Sequence, residues 1–81
     1  MDDAQAWDVE VDARGLLCPL PVLRARKRLL ALSPGQVLRL IATDPAAVID
    51  VPHFCREAGH LLLASGPTAD GQAATYLIRR G

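Results

Sequence analysis

Residues 7–35, WDVEVDARGLLCPLPVLRARKRLLALSPG, hold a strand, a turn and a helix in direct succession. Trp7, Val9 and Val11 alternate with Asp8, Glu10 and Asp12, the two-residue period of a half-buried strand. Arg14-Gly15 ends that alternation, with Gly15 supplying the turn. From residue 19 the period changes to that of a helix, expected over 19–32. Val22, Ala25, Leu29 and Leu32 form one stripe, widened by Leu23 and Leu30. Arg24, Lys27 and Arg28 fall opposite, whereas Arg26 falls within the apolar arc, from where it is expected to reach a carboxylate at the sheet edge. Ser33-Pro34-Gly35 stops the helix.

Working outward, residues 36–43 (QVLRLIAT) read as a second strand, and Asp44-Pro45 as a cap with a proline fitted to a first helical turn. Pro52 forbids one smooth helix from 45 to 59. The expectation is a short turn at 45–49, then a second helix over 51–58 capped by Asp50 and ended by Gly59. Val51, Phe54, Cys55 and Ala58 share its apolar face. Residues 60–65 and 72–79 read as strands joined by a turn-rich hairpin loop at 66–71. The order β-α-β-α-β-β predicts an α/β (α+β) two-layer sandwich: two helices on one face of a four-stranded mixed sheet.

Length and composition set the bounds. Eighty-one residues, 51% hydrophobic and 22% charged, are expected to form a single domain, with residues 1–5 frayed. Net charge is zero but unevenly spread: the first strand region is acidic, and from Arg14 to Arg39 every charge is positive. Such a basic face suits docking to an acidic protein surface; with three aromatics in the chain, no direct nucleic-acid binding is expected. Two cysteines are too few for a disulfide scaffold, and no apolar run is long enough for a membrane span. The expectation is a cytoplasmic monomer off the membrane. His53, Cys55, His60 and Cys18 lack the spacing of a metal site, so neither metal nor cofactor is expected.

Gly15-Leu16-Leu17-Cys18-Pro19-Leu20-Pro21 carries the chemistry. Pro19 confines Cys18 to extended geometry, which predicts an N-cap position. Pro19 and Pro21 stiffen a first turn whose N–H groups have no helical partner. At a helix N-terminus a thiol is expected to have a lowered pKa, and the thiolate is the form that attacks sulfur. Cys55, on an apolar helix face, is read as core packing. His60 is expected at a strand start, bonded to backbone or water.

The run Asp12-x-x-Gly15-Leu16-x-Cys18-Pro19-x-Pro21 resembles the signature of the TusA/SirA family of sulfur carrier proteins. The resemblance continues through Pro34-Gly35, Ala42-x-Asp44-Pro45-Ala46, Asp50-Val51-Pro52-x-Phe54-Cys55, His60 and Tyr76 to Gly81. It implies that Cys18 accepts sulfane sulfur as a persulfide from a cysteine desulfurase or rhodanese-type donor, with Pro19 and Pro21 as support. The downstream partner is then a relay acceptor serving tRNA 2-thiouridine synthesis, sulfur oxidation or molybdenum cofactor assembly. Family members often carry an acidic residue where this chain has Leu20. Leu16, Leu17 and Leu20 are expected to form an apolar collar around the sulfur, with Arg24, Arg26, Lys27 and Arg28 as further partner-binding residues. The rival reading is a non-catalytic regulatory module touching nucleic acid through its first helix. A thiol-redox role lacks the vicinal second cysteine it would need.

Overall fold

The computed structural model describes residues 6–81, so the expected fraying of residues 1–5 lies outside the described residues. The elements run β1 (Val9–Ala13), α1 (Leu20–Leu30), β2 (Val37–Ala42), α2 (Ala47–Ala58), β3 (Leu61–Pro67) and β4 (Ala74–Arg79), in the order read from the sequence. The sheet order is β1-β2-β4-β3. β1 pairs parallel with β2, and β4 lies antiparallel between β2 and β3. Both crossovers, β1-α1-β2 and β2-α2-β3, therefore advance in one direction across the sheet. Right-handed connections then put both helices on one face. α1 packs on β1 and β2, α2 on β3, and the helices touch each other.

The core lies between the layers and is mainly aliphatic. Val11 and Ala13 of β1, Leu38 and Leu40 of β2, and Tyr76 and Ile78 of β4 meet Ala25 and Leu29 of α1 and Val51, Phe54 and Cys55 of α2. On β1 the alternation holds: Val11 and Ala13 are buried, Glu10 and Asp12 exposed. Glu10 stands opposite Arg39 in the β1–β2 register and pairs with it, and the Arg39 guanidinium lies 4.7 Å from the Trp7 ring centroid.

Two expectations for the helices need correction. The buried arc of α1 runs through Pro21, Ala25 and Leu29, with Val22 and Leu32 packed at its side. Leu23 and Leu30 do not widen it, being 49% and 62% exposed. Arg26 thus falls beyond the edge of the arc, exposed, and forms no ion pair among the described residues. The second correction concerns Pro52, which does not divide residues 45–58 into two pieces. α2 is continuous from Ala47 to Ala58 with Pro52 inside it, and Asp50 lies in its first turn instead of capping it. A proline there removes one N–H, the partner of the Val48 carbonyl. Val48 is exposed, so water can replace the donor, while Ala47, Val51, Phe54 and Cys55 anchor the helix on both sides of the break. Gly59, at φ 78°, ends α2 in the left-handed conformation, as expected.

The C-terminal strand also finishes α1. The Arg80 Nε donates to the Leu29 carbonyl at 2.8 Å, adding a charged donor to the Leu32 N–H that the same carbonyl accepts at 3.0 Å. Beside it the Gly81 N–H donates to His60 Nδ1 at 3.0 Å, so His60 opens β3 with a backbone partner as expected.

Candidate functional site

Parallel pairing of β1 and β2 sets Ala13 opposite Ala42, so the loops after both strands emerge side by side at the same edge of the sheet. The loop after β1 carries Cys18; the loop after β2 carries Asp44 and leads into α2. Side chains of the second loop tie down the backbone of the first. Gly15, at φ 82°, donates its N–H to Thr43 Oγ1 at 2.9 Å. The Cys18 N–H donates to Asp44 Oδ2, and Asp44 Oδ1 accepts from the Ala46 N–H at 3.1 Å. The Cys18 Sγ lies 2.8 Å from Asp50 Oδ2 and donates its proton there.

The structure corrects the expected position and ionisation of Cys18. The N-cap of α1 is Pro19, and Cys18 sits one residue outside the helix, in the turn closed by the Leu20 N–H on the Leu17 carbonyl at 2.9 Å. The same prolines that begin the helix remove its donors: Pro19 and Pro21 have no N–H, and that of Leu20 is already taken. Few N–H groups remain to stabilise a thiolate. What faces the sulfur is acidic. The hydrogen bond to Asp50, loss of solvent, and the charges of Asp50 and Asp44 all push the Cys18 pKa above the ordinary thiol value. The resting group is a thiol.

The expected site residues divide into two sets. Leu17 is 70% exposed and Leu20 is also exposed, on either side of Cys18 and Pro19. Leu16 instead packs against the core, so the collar has two members. Pro21 is buried, on the sheet-facing side of the first turn of α1. Arg24, Lys27 and Arg28 line a hollow with Glu10 and Asp12 on the β1 side of α1, away from the sulfur. A groove of about 320 Å³ opens directly beside Cys18. Pro19, Val22 and Phe54 form its apolar wall, and Asp50, His53 and Glu57 edge it along α2. Cys55 is buried, 2% exposed, with its thiol pKa raised by that burial. Asp44 and Asp50 were read in the sequence only as helix caps. Each is a short polar residue before or within a helix start, and nothing local distinguishes a cap from a side chain turned to another loop.

This arrangement offers one exposed sulfur at a loop tip, a nearby carboxylate able to exchange a proton with it, and an apolar surface on which another protein can seat. Comparison with known proteins gives the family. The family profile described as Sulfurtransferase TusA matches residues 9–80. The chain is similar to the sulfur carrier protein TusA of Allochromatium vinosum, at 47% identity over 91% of this chain and 95% of that one. Its fold is similar to the crystal structure of a SirA-like protein from Desulfitobacterium hafniense, with a TM-score of 0.74 and 25% identity over 91% of this chain and 99% of that one. The chain belongs to the TusA family of sulfur carrier proteins.

Proposed function

We propose that Cys18 takes sulfane sulfur from a protein persulfide, held by a cysteine desulfurase or rhodanese-type donor, and hands it to a relay acceptor protein. The observation that carries this reading is the contrast between the two thiols: Cys18 stands exposed at a loop tip, whereas Cys55 is sealed in the core. A carrier's sulfur must reach into two different partners in turn, and only an exposed group at a protruding turn can do so. Leu17 and Leu20 give the partner an apolar contact on both sides of the sulfur. Burial of such contacts governs how long the pair stays together, while the basic side chains further along α1 act on encounter.

The test is intact mass after incubation with a desulfurase and cysteine. The wild-type chain gains the mass of one sulfur atom, reversibly removed by reductant; Cys18→Ser gains nothing, and Cys55→Ser gains as the wild type does. Absence of the adduct on the wild-type chain would favour a non-catalytic binding module.

A further inference from the structure

The contact between Cys18 and Asp50 does more than hold the loop. A thiolate and a carboxylate 2.8 Å apart would share no proton and would repel each other; the contact is a bond only while one proton lies between them. Asp50 is fixed in this position by the first turn of α2, whose next residue, Val51, is fully buried. Asp44 holds the Cys18 N–H from the other side, which anchors the backbone from which the side chain reaches Asp50. The other charged or titratable groups along the groove are His53 and Glu57, both on α2. The α1 wall, Pro19 and Val22, contributes no charge.

Resting on the reading of Cys18 as the sulfur acceptor, we propose that Asp50 is its positioning and proton-holding residue: it keeps the free carrier's sulfur as an unreactive thiol and receives the proton during transfer. The step balances without oxidant or reductant. The Cys18 sulfur forms a bond to the outer sulfur of the donor persulfide as the donor's S–S bond breaks, and that bond's electron pair goes to the donor's cysteine sulfur. The Cys18 proton passes to the Asp50 carboxylate and then to the departing cysteine sulfur. Donor persulfide anion and carrier thiol become donor thiol and carrier persulfide anion, and Asp50 returns to its carboxylate form. In the free carrier the same bond protects the sulfur from stray electrophiles, since thiol–disulfide chemistry proceeds through the thiolate.

Two pH profiles test this on the intact chain, for the wild type and for Asp50→Asn, which keeps the shape and removes the charge. The first is the rate of Cys18 alkylation by iodoacetamide. In Asp50→Asn its midpoint moves down, so that labelling near neutral pH rises above the wild-type rate. An unchanged or raised midpoint overturns the proposal, and this result is decisive whether or not Cys18 accepts sulfur. The second is the rate of sulfur acceptance from a desulfurase persulfide. In the wild type it stays nearly flat across the range where alkylation climbs, because the carboxylate takes the proton. In Asp50→Asn it follows the alkylation curve. If wild-type acceptance already tracks alkylation, Asp50 takes no proton. If Cys18 accepts no sulfur at any pH while the alkylation midpoint still shifts, the sulfur-carrier reading fails and the proton-holding role stands.

Discussion

At the scale of single residues, the two cysteines show how surroundings divide identical side chains. Cys18 is held as a thiol by carboxylates but open to solvent; Cys55 is held as a thiol by burial and closed to it. A limiting pulse of iodoacetamide is therefore expected to label Cys18 well before Cys55, read by peptide mass spectrometry. Preferential labelling of Cys55 would overturn the assignment of the exposed thiol as the accessible one. Because the Cys18 pKa is raised, its labelling rate should keep climbing with pH beyond the ordinary thiol range instead of levelling near neutrality. Cys55→Ser sets a hydroxyl into the core beside Val51 and Phe54 and is expected to cost about 1–3 kcal/mol in urea denaturation, with Cys18 labelling unchanged. The position of Cys18 was legible in the sequence through the prolines around it. Its ionisation was not, because the group that sets it is 32 residues away. A dipole argument uses only neighbours along the chain, and the two prolines that suggest it also strip the N–H donors on which it depends.

Among the elements, α1 and α2 differ in how much of their form is local. The Val22, Ala25, Leu29 and Leu32 stripe of α1 was plain in the sequence, and it faces the sheet. The edge of that stripe was not plain, since Leu23 and Leu30 are as apolar as the residues that are buried. For α2 the proline rule gave two pieces where packing gives one helix. Propensity weighs a single lost hydrogen bond, while four buried side chains hold the segment to the layer beneath. The end of α1 depends on a residue from the far end of the chain. Removing the Arg80 guanidinium leaves the Leu29 carbonyl without its charged donor. Arg80→Ala is expected to cost about 1–2 kcal/mol by thermal or urea unfolding, and Arg80→Lys less. A neutral outcome would mean that water replaces the guanidinium without loss.

For the whole molecule, the strand order could not be read from the sequence. The hairpin of β3 and β4 was legible from its turn residues, but that β4 enters between β2 and β3 is a choice made by long-range pairing. That choice brings the chain's last residues against the start of β3. His60 accepts there from the Gly81 N–H, and burial together with the nearby Arg80 charge pushes its pKa below the ordinary imidazole value. A folded pKa below the unfolded one means that the unfolded chain takes the proton first as pH falls. Stability is thus held above the unfolded value of 6.5 and declines as pH drops through it toward the folded value. Urea midpoints taken between neutral pH and pH about 5 should fall, and His60→Asn should remove part of that dependence. Charge is also arranged by topology: Asp44 and Asp50 are beside the sulfur, whereas Arg24, Lys27 and Arg28 lie toward β1. Reversing Lys27 and Arg28 to Glu is expected to slow transfer from a desulfurase donor and to flatten its salt dependence, leaving alkylation of Cys18 as it was. Wild-type rates across a salt series would mean that this side of α1 is only hydrated surface.

The Cys18 N–H bound to the Asp44 carboxylate has a spectroscopic consequence. A short, charge-assisted amide bond of this kind moves its proton resonance far downfield, into a sparsely populated region of the spectrum. The amide belongs to the same residue as the sulfur, and its acceptor lies in the loop that leads to Asp50. Any cargo or partner that disturbs either loop will shift that one signal. The carrier thus contains its own isotope-edited gauge of whether it is empty, loaded or docked, without a label on the sulfur itself.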